Sequence, residues 1–220
     1  MATVQRSITF PPIRLKKIDE YIVYVAKYRP SPHQLKSAGL DIGRGRGDIT
    51  RFLERVGVIA SGDVVELTEL GKLLVSIRES IGVAVYHALF YQRVPQYRLL
   101  IDVVKDGISE PSHIYTEINK RIAVVSPTAW LNKVAFRTLL QIAQDLEAVR
   151  KIGNVYTYVG DPVERAVLQY LTNFAAKVGT DYYTSFDKVL FNECGKLGPS
   201  GLYKVDVKCI VEKIYTSFLP

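Results

Sequence analysis

Apolar positions recur at helical spacing through the first third of the chain. Leu15, Ile18, Ile22 and Val25, extended to Tyr28, form one stripe, with Lys16, Lys17, Asp19, Glu20 and Lys27 on the other face, which predicts an amphipathic helix over 14–28. The preceding residues, 1–13, read as an irregular arm closed by Pro11-Pro12, because a residue before proline avoids the helical region. Pro30-Ser31-Pro32 ends the first helix, and Ser31 is placed to cap a second over 32–38, with Pro32 at its first position and Leu35 and Ala38 inward. Ile49, Phe52, Leu53 and Val56 define a third helix over 48–56, with Asp48 as its N-cap and Gly57 as its stop.

The period then changes. Val58-Ile59-Ala60 and Val64-Val65-Glu66-Leu67 are β-prone runs around Ser61-Gly62-Asp63, the composition of a tight hairpin. From 69 to 106 helical spacing returns, punctuated by Gly82 and Pro95; Leu70, Leu73, Leu74 and Ile77 form its first stripe, 83–92 a second helix, and Leu99, Leu100, Val103 and Val104 a third. Residues 81–94 read as a helical linker.

A similar order follows at 95–160. Pro95 to Lys105 is a helix, and a second over 111–123 has Ile114, Ile118 and Ile122 inward. Ser126 with Pro127 predicts the start of a long helix carrying Leu131, Val134, Leu139, Ile142 and Leu146, and Gly153-Asn154 sits between two β-prone runs as a second hairpin turn. Residues 161–220 read as helical: Asp161-Pro162 opens one helix, Ser185 caps another with Phe186, Val189 and Leu190, and 195–201 is a loop. Leu202 to Tyr215 fits both strand alternation and helical spacing, and helix is preferred. The expected fold is mainly α with small β-hairpins (α+β): units at 1–80 and 95–160, then a helical C-terminal region.

Three helices, a hairpin, and then Leu67-Thr68-Glu69-Leu70-Gly71-Lys72-Leu73-Leu74 form an order that resembles a winged helix-turn-helix domain, and the Leu-Thr run before a glycine-containing helix is similar to that of archaeal winged-helix proteins. The resemblance covers about fifty residues. It implies that the third helix is a recognition helix and that double-stranded DNA is the partner.

Composition is compatible with this. The 220 residues are 48% apolar, enough for a packed core, and 29 Lys and Arg against 22 Asp and Glu give +7, which favours an acidic partner. The expected DNA-contacting set in the first unit is Lys36, Arg44, Arg46, Thr50, Arg51 and Arg55, since guanidinium groups give bidentate hydrogen bonds to phosphate and to guanine edges. In the second unit it is Asn132, Lys133 and Arg137, beside Thr128 on the long helix, with Arg150, Lys151 and Asn154 on the hairpin. Trp130 is expected in the core, while Tyr156 and Tyr158 either cover the core or face a partner.

Other chemistries find less support. The only cysteines, Cys194 and Cys209, and the scattered His33, His87 and His113 supply no clustered zinc ligands; one disulfide remains open, a secreted cysteine framework does not. No metal or cofactor is expected. Gly43-Arg44-Gly45-Arg46-Gly47 resembles a phosphate loop but follows no strand and lacks the Walker lysine. Asp206-Val207-Lys208, with Asp181 or Asp187 upstream, resembles the metal site of restriction-endonuclease-like nucleases if 202–211 is a strand. The N-terminus lacks the apolar run of a signal peptide, and the longest apolar stretch, 81–91, is short of a bilayer span, so a cytoplasmic protein with no membrane partner is expected. Abundant Tyr, Val and Ile with one Met suggest a thermophile. The expected role is a transcriptional regulator or chromosome-associated factor; a winged-helix module that docks on a protein partner, or on its own copy as a homodimer, is the alternative from another class.

Overall fold

A computed structural model describes residues 6–8, 10–41, 48–198 and 200–220. The protein is mixed α+β, largely helical with small, mostly antiparallel sheets. The arm is not wholly irregular: strand β1 (Arg6–Ile8) precedes helix α1 (Leu15–Tyr28), whose buried stripe gains Tyr21 while Tyr28 is exposed. Helix α2 (Pro32–Ser37) starts with a capping box: Gln34 N–H donates to Ser31 Oγ at 3.3 Å, and Ser31 N–H to Gln34 Oε1 at 2.7 Å. Helix α3 (Asp48–Arg55) ends at Gly57, whose φ of +81° suits a residue without Cβ.

The hairpin β2 (Ile59–Ser61) and β3 (Val65–Leu67) leads into α4 (Glu69–Ile81). The Leu-Thr-Glu-Leu-Gly run has a local reason. Thr68 caps α4, accepting from Gly71 N–H at 3.1 Å and donating its hydroxyl to Gly57 O at 2.6 Å. A Cβ at Gly71 would lie 2.1 Å from Val58 O, so only glycine lets α4 approach the hairpin this closely.

A single 3₁₀ turn at Gly82 separates α4 from α5 (Val85–Arg93). Val85 to Phe90 are all buried, and α5 packs against α4 as well as later helices, so the expected linker is a central core helix. The run Glu69–Arg93 is long and apolar enough to cross a membrane by length and composition, but half of its apolar window is buried inside the protein and Gly82 interrupts it.

Helices α6 (Pro95–Lys105) and α7 (Pro111–Val125) follow the predicted pattern; the long helix from Ser126 does not. Ser126 closes α7 by donating its N–H to Ile122 O, and Ala129–Leu131 is strand β4, parallel to β1 with Arg6 opposite Ala129. Helix α8 (Lys133–Asp145) starts only after Asn132, which caps it by accepting from Ala135 N–H at 2.8 Å, and Val134 is exposed, not inward. A strand partner more than a hundred residues away overrode a local helix-start signal. Strands β5 (Val149–Ile152) and β6 (Val155–Tyr158) pair around Gly153-Asn154 as expected.

The C-terminal region departs most from expectation. Helix α9 (Pro162–Phe174), capped by Asp161, is followed by β7 (Ala176–Val178), β8 (Asp181–Thr184), β9 (Gly195–Leu197) and β10 (Tyr203–Val205), an antiparallel sheet in the order β7-β8-β10-β9. Ser185 opens only a 3₁₀ turn at Phe186–Lys188. Strands of three or four residues, with Lys177, Lys196 and Lys204 interleaved, leave too little alternation to read. Helix α10 (Val207–Thr216) packs on α5 and α9, and a disulfide joins Cys209 on it to Cys194. Beyond α10, Phe218 is buried, and the Arg93 guanidinium donates to Phe218 O at 2.8 Å and Leu219 O at 2.6 Å.

Candidate nucleic-acid interface

Helix α3 is held at its N-terminal end by a residue the sequence pattern does not single out. Asp41, buried, accepts from Ile49 N–H at 3.0 Å and Thr50 N–H at 3.3 Å and also from the Thr50 hydroxyl, so the capping role expected of Asp48 belongs to Asp41. Thr50 Oγ1 lies 2.6 Å from the Tyr21 hydroxyl of α1, and burial pushes that phenol's pKa up, keeping it protonated. Thr50 is fully buried in this network, which corrects its assignment as a DNA contact: the hydroxyl is committed to Asp41 and Tyr21 and is not exposed to a ligand.

The opposite face of α3 carries exposed Arg51 and Arg55, one turn apart. The Arg55 guanidinium stands 5.8 Å from the centre of the Phe52 ring, and Glu54 is engaged by the Ser61 hydroxyl of the hairpin. Arg44 and Arg46, together with the glycine run around them, lie outside the described residues.

The second set divides. Arg51, Arg55 and Phe52 line a groove of about 530 Å³ whose other wall is the start of α8, with Asn132, Lys133 and Val134; Phe10, Pro11 and Pro12 of the arm also line it, and among the described residues Asp48 is the one carboxylate in its lining. Lys133 is exposed, while Asn132 is half-buried with its side-chain oxygen committed to the cap. Arg137, one turn further along α8, lines an adjoining groove with Arg14 and Pro12. Among the described residues, no carboxylate pairs with Arg14, Arg55, Lys133 or Arg137. Lys36, Arg150 and Lys151 are exposed but line neither groove; the Lys151 ammonium sits 5.9 Å from the Tyr156 ring. Thr128 is half-buried in the turn before β4 and Asn154 is exposed at the second hairpin turn.

The aromatic expectations are partly revised. Trp130 lies half-exposed on β4, not in the core. Tyr156 is buried, and half-buried Tyr158 has the Lys105 ammonium 4.7 Å from its ring. A polar cluster around α5 is fully internal: His87 Nδ1 lies 2.8 Å from the Tyr97 hydroxyl, and burial lowers the His87 pKa to about 4.

The nuclease arrangement needs a strand through Asp206–Lys208, but β10 ends at Val205. Asp206 caps α10 by accepting from Cys209 N–H at 3.0 Å, Val207 and Lys208 are helical, and Asp181 is paired with Lys204 at 2.6 Å. Among the described residues, no group of three or more His, Cys, Asp or Glu side chains could hold a metal ion. Comparison of the chain with protein-family models, with curated proteins and with solved structures finds no match in any of the three.

Proposed function

We propose that the protein binds double-stranded DNA without catalysis, as a tandem winged-helix protein of the kind that serves as a transcriptional regulator or chromosome-associated factor. The observation that carries this reading is the shared groove: the third helix of each helical unit, α3 and α8, presents cations, Arg51 and Arg55 from one and Lys133 from the other, to one open surface. Phosphate contact by such side chains releases counterions, so binding is steeply salt-dependent. Titration of a mixed-sequence duplex at several salt concentrations tests it. Arg51→Ala with Arg55→Ala is expected to lower the slope of log K against log salt by about 1.8, two contacts at about 0.9 each. An unchanged slope removes α3 from the site.

A second reading, a protein-docking module, rests on the C-terminal sheet, where exposed Phe186 packs 5.1 Å from Tyr203 and Tyr203 lies directly opposite exposed Leu197. A wild-type protein that binds no duplex at low salt would favour it.

A further inference from the structure

We infer that the DNA-binding surface does not end with α3 but continues as one track of cations over α8 onto the start of α1, with Arg14 and Arg137 as further phosphate-contacting residues. The inference rests on the duplex-binding reading and extends it to a residue the sequence does not mark. Three observations carry it. Pro12 lines both grooves, so the surface holding Arg51, Arg55 and Lys133 adjoins the one holding Arg14 and Arg137. Lys133 and Arg137 are one turn apart on the exposed face of α8, so that helix presents a cation to each groove. Arg14 and Arg137 are exposed, come from elements far apart in sequence, and have no carboxylate partner among the described residues; like charges brought together in this way repel unless an anion lies between them. A polyanion with regularly spaced phosphates fits such a track better than a single small anion, which would meet only one pair of charges.

The consequence is a single composite site: one chain engages one duplex through both helical units. The test titrates a mixed-sequence duplex of about two helical turns with wild type, Arg14→Ala/Arg137→Ala, Arg14→Lys/Arg137→Lys and Arg51→Ala/Arg55→Ala, following anisotropy at several salt concentrations. The Arg14→Ala/Arg137→Ala protein should bind about ten-fold more weakly with a slope lower by about 1.8, and the lysine pair should restore the slope. Its thermal unfolding should match wild type, because both side chains are exposed. If the Arg51/Arg55 variant loses slope while the Arg14/Arg137 variant keeps it, the extended track is wrong and the duplex reading stands. Saturation at two duplexes per chain would equally overturn the composite site. If neither variant differs from wild type, or wild type does not bind, both proposals fall.

Discussion

Replacing Asp41 by alanine should weaken the protein at the base of its candidate reader helix. The carboxylate takes two backbone N–H groups at the start of α3, at 3.0 and 3.3 Å, and the Thr50 hydroxyl, all in a buried setting. Hydrogen bonds to a charged acceptor contribute about 1.5–3 kcal/mol each, and two orphaned N–H groups would have no water to replace it. Allowing for the longer bond and for some rearrangement, Asp41→Ala should cost about 3 kcal/mol, which for a chain of this size lowers Tm by about 6–12 °C. Asp41→Asn keeps the shape but turns one acceptor into a donor, and should cost about half as much. Urea unfolding followed by circular dichroism measures both. An Asp41→Ala protein within about 0.5 kcal/mol of wild type would show that α3 is positioned by other contacts.

Further outcomes follow from other sites. Gly71→Ala places a methyl on Val58 O and should cost about 2 kcal/mol or more, measured by the same unfolding curves; a neutral effect would mean α4 can slide from the hairpin. Reduction of the Cys194–Cys209 bond, which closes a span of 15 residues, should lower stability by about 3 kcal/mol, and a reductant without effect on unfolding would contradict a native disulfide. His87 is buried neutral with a pKa of about 4, below its unfolded value, so the unfolded chain binds the extra proton between about pH 6.5 and 4. Stability from this group is therefore complete above about pH 6.5 and falls as pH drops through that window, and His87→Gln should flatten the dependence; an equally steep fall in the variant would assign it to other groups. Phe218→Ala, at a fully buried ring, should cost about 3–5 kcal/mol, whereas a segment after α10 that merely lay on the surface would tolerate it.

Much of the first unit was legible because its signals are local. The stripe of α1, the Ser31 cap, the Gly57 stop and the Ser61-Gly62-Asp63 turn all act within a few residues of themselves. What could not be read depends on distant partners. Asp41 caps a helix whose first residue comes well after it in sequence, β4 exists because β1 lies against it, and Asp206 divides a strand from a helix in a run whose periodicity fits both. The candidate site shows the same division. The charges of Arg51, Arg55, Lys133 and Arg137 were visible, but that α3 and α8 meet at one groove, and that Arg14 stands beside Arg137, is a product of tertiary packing. Thr50 was misassigned because its position beside arginines says nothing about which way a hydroxyl turns.

The pairing of β1 with β4 also has a bearing on biosynthesis. Arg6 emerges from the ribosome long before Ala129, so β1 must wait while more than a hundred further residues are made before its partner exists. Closing a loop of that size carries a large entropic cost, and the contact is expected to form late, after the individual helical units have collapsed. The relative placement of α3 and α8 would then be set only after each helical unit has collapsed on its own.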